Sequence, residues 1–253
     1  MNYDLQKAGM WKRAAAWMFD GILLGILAVA FGFLLSGLLG YNRYSDALDR
    51  SYAEYETEYV VEFDITQETY LAMTDAQRQS YDAAYQALTA DEEAMHAYNM
   101  VLNLTLIVTT VGILLAFLLW EFLIPLQLGS GQTLGKKIFG LGLIRNDGVR
   151  LNALQLFTRT VLGKYTIETM IPVYILLMIF WGTMGLAGTL ILLAILLAQI
   201  VSMTMTRTNS AIHDLMAGTV VVDIASQMVF HSTEELMAFQ KQLHAERVSR
   251  SRS

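Results

Sequence analysis

The sequence predicts an all-α membrane protein of about four transmembrane helices, with a helical extracytoplasmic insert and a small cytoplasmic β-hairpin layer. Three observations predict it. The chain of 253 residues is 55% hydrophobic and only 16% charged, with a mean hydropathy of +0.42, too apolar for an ordinary soluble domain. Charge-free runs recur, and about 20 residues at 1.5 Å rise cover the roughly 30 Å hydrocarbon core of a bilayer. The polar stretches between the runs differ in sign. Residues 41–99 hold 13 acids against three bases, whereas residues 127–165 hold six bases against one acid.

Residues 1–40 form a cytoplasmic start and the first transmembrane helix. Gly21 to Gly40 carries no charge, and the apolar pattern begins earlier, at Ala14, so Asp20 falls inside the helix. A cleaved signal peptide is the competing reading. The run is longer than a signal h-region, Asp20 interrupts it, and no small-x-small cleavage site closes it. A retained first helix is therefore expected.

Residues 41–99 form the acidic insert, which carries 9 of the 12 tyrosines. Thr74-Asp-Ala-Gln77 and Thr89-Ala-Asp-Glu92 read as capping boxes, in which each end's side chain satisfies the other's free backbone N–H. Val60 to Ile65 alternates enough for a short strand or an extended linker. The last helix of the insert, from Thr89, is expected to run straight into the next span. The acids read as a solvated face, since no spaced Asp-x-Asp-x-Asp-Gly calcium loop is present.

Residues 100–126 hold the second transmembrane helix, charge-free from Met100 to Trp120 and followed by Glu121. Residues 127–165 form the basic segment. Asn146-Asp147-Gly148 lies between Ile138–Ile144 and Val149–Leu151, a strong hairpin signal. Asn152 to Lys164 reads as an amphipathic interfacial helix, apolar at Leu154, Phe157, Val161 and Leu162. Residues 166–206 contain 38 uncharged positions from Thr169 to Thr206. That is about 57 Å of helix, enough for the third and fourth spans with a turn in Gly182–Gly188, a re-entrant pair being the alternative.

Residues 207–253 form the cytoplasmic tail. Ala211 to Asp223 predicts a short helix, a glycine stop at Gly218 and a strand able to join the hairpin. Ser232-Thr-Glu-Glu235 opens a helix with Leu236, Phe239 and Leu243 on one face. Arg247 to Ser253 reads as a disordered basic tail touching anionic lipid. The lysines and arginines put the basic segment and both termini inside and the acidic insert outside.

Composition and spacing narrow the chemistry. The absence of cysteine excludes disulfides, thiol catalysis and cysteine-held metal or cluster sites. His96, His213, His231 and His244 lack metal-ligand spacing. Gly131-Gln-Thr-Leu-Gly135-Lys136-Lys137 departs from a phosphate loop, with three residues between its glycines and Lys137 where a Ser or Thr is needed; it reads as a compact turn. His213-Asp214 has the composition of an acid–base dyad, but adjacent helical side chains point apart and no nucleophile motif accompanies it. No enzyme activity, no cofactor and no nucleic-acid partner is expected.

The ionisable residues placed within or beside the spans are the candidate site: Arg13, Asp20, Glu121 and Asp214. Arg13 and Asp20 are seven residues apart and leave one helix face. Asp20 and Glu121 fall at similar depth, roughly 10 Å into the inner half. Two readings follow, transport as the leading one and a non-transporting role as its alternative. In one, Asp20 and Glu121 carry protons or small monovalent cations, tuned by Arg13. In the other, Arg13 and Asp20 make a buried ion pair, with Asp214 near, and the protein is a scaffold or accessory subunit. Its partner would dock on the tyrosine-rich insert or the C-terminal helix, tyrosine being enriched in interfaces. Four short spans point to a homo-oligomer or a complex with another membrane protein in the bilayer.

Arg13 and Asp20 in the first span, Gly131-Gln-Thr-Leu-Gly-Lys136, the Asn146-Asp147-Gly148 turn and His213-Asp214-Leu-Met-Ala-Gly-Thr219 together resemble the RDD family of bacterial membrane proteins. The family is named for one arginine and two aspartates, which match Arg13, Asp20 and Asp214. The resemblance covers Ala8 to Leu39 and Met100 to Asp223, leaving out the insert and the tail. It implies a multi-pass protein of a bacterial plasma membrane, for which transport of ions or small ligands has been proposed.

Overall fold

The computed structural model describes residues 4–128, 131–206 and 208–250. Four helices in it are long and apolar enough to cross a membrane: α1 (Met10–Leu39), α5 (Glu92–Leu128), α7 (Ala153–Phe180) and α8 (Gly185–Met205). Between α1 and α5 lie α2 (Tyr41–Tyr59), α3 (Gln67–Ala72) and α4 (Asp75–Ala90). Between α5 and α7 lie α6 (Leu134–Ile138) and β1 (Leu141–Arg145), and after α8 come α9 (Ile212–Ala217), β2 (Thr219–Asp223) and α10 (Thr233–Arg250). The chain is an all-α membrane protein with one small two-stranded antiparallel sheet. The long helices turn apolar residues outward, as Ile22, Ile26, Phe33, Leu186, Leu193 and Leu197 do. That is the arrangement a hydrocarbon solvent requires.

The chain divides into two compact units. One takes the chain up to Ala28 and again from Ile113 onward; the other is Val29–Gly112. In the second unit, Thr74 caps α4 with the reciprocal bond to Gln77. Thr89 does not cap the next helix. It lies inside α4, where its hydroxyl donates back to the carbonyls of Tyr85 and Gln86. Asp91 caps α5 instead, its carboxylate accepting the N–H groups of Glu93 at 2.8 Å and Ala94 at 3.2 Å. Helix α5 then runs unbroken through the second apolar run. Val60 to Ile65 forms no strand: Val60 ends α2 with φ +56°, and the Glu56 carboxylate accepts the Phe63 N–H at 2.8 Å. Seven of the nine tyrosines are half-buried. Tyr52, Phe63, Tyr81 and Tyr70 form a chain of edge-on ring contacts. Most of the tyrosine signal therefore records the insert's own core, with Tyr85 and Tyr98 left exposed.

In the first unit, β1 pairs antiparallel with β2, Leu141 opposite Asp223 through Arg145 opposite Thr219. The Asn146-Asp147-Gly148 turn is present, Gly148 donating to the Arg145 carbonyl at 3.0 Å and Arg145 to that of Val149 at 2.9 Å. Its second arm is a single bridge, Ile144 to Arg150. The arm is short because Asn152 already caps α7 through Gln155. One sheet face buries Leu141, Leu143 and Val221 against Ala16 and Leu156. The other buries Ile144, Val220 and Val222. Val149, Phe230 and Leu236 form a separate small core that seats α10.

The expected interfacial helix at Asn152–Lys164 is not a separate element. The backbone continues through it into the apolar run as the single helix α7. Two stretches of the long helices have π geometry, Leu118–Leu123 in α5 and Thr158–Met170 in α7. Helix α7 ends at Phe180 and α8 starts at Gly185, with Gly182 at φ +72° in the turn between them. Arg247 to Arg250 continue α10, and Ser251 to Ser253 lie outside the described residues.

Candidate functional site

Asp20 is 4% exposed on α1. Its Oδ1 accepts the Gly135 N–H at 2.9 Å and the Trp120 indole N–H at 3.2 Å. Its Oδ2 accepts the Thr133 hydroxyl. Thr133 caps α6, so the carboxylate meets free N–H groups at the start of that helix, where negative charge is favoured. Gly135 lets the two backbones approach. A Cβ there would lie 2.6 Å from the Ala16 carbonyl oxygen and 2.8 Å from the Asp20 carboxylate. The Gly-Gln-Thr-Leu-Gly segment is a compact turn, as expected, and it is wrapped around Asp20.

Arg13 does not pair with Asp20. Its Nη1 donates to the Asn209 carbonyl at 2.7 Å, and its Nη2 is 3.7 Å from Asp214 Oδ2. Seven residues put the two side chains on one face but about 10 Å apart along the axis, and each reaches a different segment.

Glu121 sits in the π stretch of α5, ringed by cations. Lys164 Nζ is 2.5 Å from Oε1; Lys136 Nζ and Arg159 Nη1 are 3.7 Å and 3.8 Å from Oε2. The Thr160 hydroxyl donates to the Glu121 backbone carbonyl at 3.0 Å. Lys136 also donates to Thr133 at 3.2 Å, so Asp20 and Glu121 are joined through Thr133 and Lys136 rather than sharing one opening. Burial pushes the Lys136 ammonium down, against the pull of Glu121, to about 8.

Arg159, 2% exposed, is the hub. Its Nε donates to Asp214 Oδ1 at 2.8 Å, its Nη2 lies 2.9 Å from His213 Nε2, and its Nη1 faces Glu121. His213 Nδ1 is 2.7 Å from Glu168 Oε2, and Glu168 Oε1 accepts from Gln199 at 3.1 Å. Burial alone would favour the neutral Asp214 acid. Arg159 foremost, with Arg13, outweighs it and holds that carboxyl below the usual carboxylate range. His213 and Asp214 converge on one guanidinium instead of pointing apart, because Arg159 is long enough to reach both from the side. Among the described residues no three His, Asp or Glu side chains are grouped to hold a metal ion.

Sequence reasoning placed Arg13, Asp20, Glu121 and Asp214 and missed Thr133, Lys136 and the central position of Arg159. The sequence carries no local signal for this grouping: Arg159, Lys164 and Glu168 are five and four residues apart, and it is the π stretch, with its i→i+5 bonds, that brings them to one face.

The sequence model of the RDD family matches residues 7–218. The chain belongs to the RDD family. The matched stretch holds all of the residues just described and ends before β2 and α10. No curated protein and no solved structure matches the chain. In this RDD protein Arg13, Asp20 and Asp214 separate into two places. Asp20 is held by α5 and the α6 turn, while Arg13 and Asp214 meet beside Arg159.

Proposed function

We propose that this RDD protein is a non-transporting membrane scaffold or accessory subunit, and that its buried charges are a clasp fastening the small sheet layer to the spanning helices. The observation that carries the reading is that the chain's own donors already occupy its buried acids. Glu121 and Asp214 face Arg13, Lys136, Arg159 and Lys164, Asp20 accepts from Gly135, Trp120 and Thr133, and Glu168 faces His213. A cation entering at Glu121 or Asp214 would have to displace an ammonium or a guanidinium. In such a reading the charges specify how the segments dock, as buried ionic groups do in some proteins.

Docking of a partner, a second copy or another membrane protein, uses surfaces away from the clasp. Exposed Val60, Leu71, Tyr85 and Tyr98 on the insert, and Met237 on α10, support such contact. The reading includes no catalysis. It places the chain in a bacterial plasma membrane with both termini cytoplasmic, an orientation supported by the six bases of residues 127–165 against the 13 acids of 41–99.

A second reading, proton or monovalent-cation transport, is favoured by one observation. Lys136 is buried between Thr133 and Glu121 with its pKa lowered to about 8, so it can release a proton near neutral pH.

A double-mutant cycle on Glu121 and Lys164, unfolded reversibly in mixed micelles, separates the two. The clasp reading expects Glu121→Gln to lose about 3–5 kcal/mol, because three cations are left buried around a neutral side chain. It expects Lys164→Met to recover part of that loss in the double variant, a coupling of about 0.5–3 kcal/mol. Additive losses, or a Glu121→Gln protein as stable as wild type, would contradict the clasp.

A further inference from the structure

Among the described residues His213 is one of two side chains that hold α9 on α7, the other being Asp214 on Arg159. The His213 Cβ lies 2.6 Å from where a Cβ on Gly163 would be, and only the bare glycine backbone leaves the space. The ring is then gripped at both nitrogens. Glu168 takes Nδ1 at 2.7 Å and also accepts the His213 backbone N–H at 3.0 Å. Arg159 Nη2 is 2.9 Å from Nε2.

The hydrogen-bond inventory assigns the proton. A guanidinium only donates, so Nε2 must accept; a carboxylate only accepts, so Nδ1 must donate. The ring is neutral, with its single proton on Nδ1. A second proton would have to go on Nε2, against the Arg159 donor. The nearest other acceptor is Asp214 Oδ2, 3.6 Å from Nε2. That oxygen is buried and accepts no hydrogen bond among the described residues.

We propose that His213 is a proton-binding site that sets how tightly α9 is held on α7. With one proton it bridges Arg159 to Glu168. With two it gives up Arg159 and turns its new N–H to Asp214 Oδ2, loosening α9. The charged groups facing the ring are Glu168, Arg159 and Lys164 from α7, and Asp214 from α9 itself. Arg13 of α1 stands behind Asp214, and the uncharged Gln199 of α8 stands behind Glu168. Burial lowers the His213 pKa below its ordinary 6.5, and Arg159 adds to that against the pull of Asp214. The grip is therefore complete above pH 6.5 and is lost as pH falls from there through the lower folded-state value. The site stands apart from the scaffold reading, since it binds its proton whether or not ions cross the membrane.

Ring-nitrogen NMR on the full chain in nanodiscs reads the site directly. The exposed His96, His231 and His244 are first replaced by glutamine, leaving one imidazole. At pH 8 the ring should be neutral and protonated on Nδ1. On acidification, once the ring has taken its second proton, amide exchange across residues 212–217, corrected for its intrinsic pH dependence, should rise at least fivefold. The same exchange should change less than twofold in His213→Gln, whose amide can grip Glu168 and Arg159 but cannot titrate. A doubly protonated ring or the Nε2–H form at pH 8, a ring that stays neutral until the acid unfolding of the protein, or exchange that does not rise with the second proton would overturn the proposal. So would an equal rise in the glutamine variant.

Discussion

Gly163 and Gly135 show how single atoms decide this architecture. At each, the missing Cβ lets another segment's backbone approach closer than an alanine permits, His213 at one and Ala16 with Asp20 at the other. Gly163→Ala places a methyl 2.6 Å from the His213 Cβ and 2.8 Å from its Cα. Neither contact is the free end of a flexible side chain. The expected loss is about 1–3 kcal/mol, the range for overpacking a tight interior, measurable as a lower unfolding midpoint. An alanine variant as stable as wild type would mean that α9 does not rest on α7 in this way. The sequence shows these residues unevenly. Asp20 and Glu121 stand out because a charge inside an apolar run is expensive. Their partners do not, because Asp20 meets Gly135 across 115 positions and Arg159 meets Asp214 across 55. No local period records such pairs.

Elements were legible where the signal was local. The four apolar runs, the Asn-Asp-Gly turn, the glycine turn before α8 and the Thr74 cap each follow from residues within a few positions. The errors share one cause: competition between neighbouring signals. Thr89-x-x-Glu92 has the composition of a cap, but α4 continues through it, and the Asp91 carboxylate takes the amides of α5. Asn152 does cap a helix, but that helix merges with the apolar run after it, because nothing between Thr158 and Met170 stops it. The π geometry of that stretch has no compositional mark. The true cap makes a selective prediction. Thr74→Ala removes the acceptor for the Gln77 N–H, worth roughly 1 kcal/mol. Exchange should quicken in the first turn of α4, residues 75–78, while α9 and the sheet keep wild-type protection. No change in that turn would show that the capping box holds nothing in solution.

At the scale of the molecule, the sequence makes plain a membrane protein of four spanning helices and an acidic insert, and it points to the charges that matter. It does not reveal whether they face water or one another. The structure places each buried acid against donors of the chain itself, and function is read from that closure. Ion-driven proton flux in proteoliposomes with a trapped pH dye tests it most directly. Sodium, potassium and lithium pulses are compared for wild type and for Asp20→Asn with Glu121→Gln. The clasp account predicts no flux above empty vesicles from well-folded wild type, and a variant that is less stable but equally silent. Flux from wild type that vanishes in a folded variant would contradict it and make Asp20 and Glu121 part of a cation pathway.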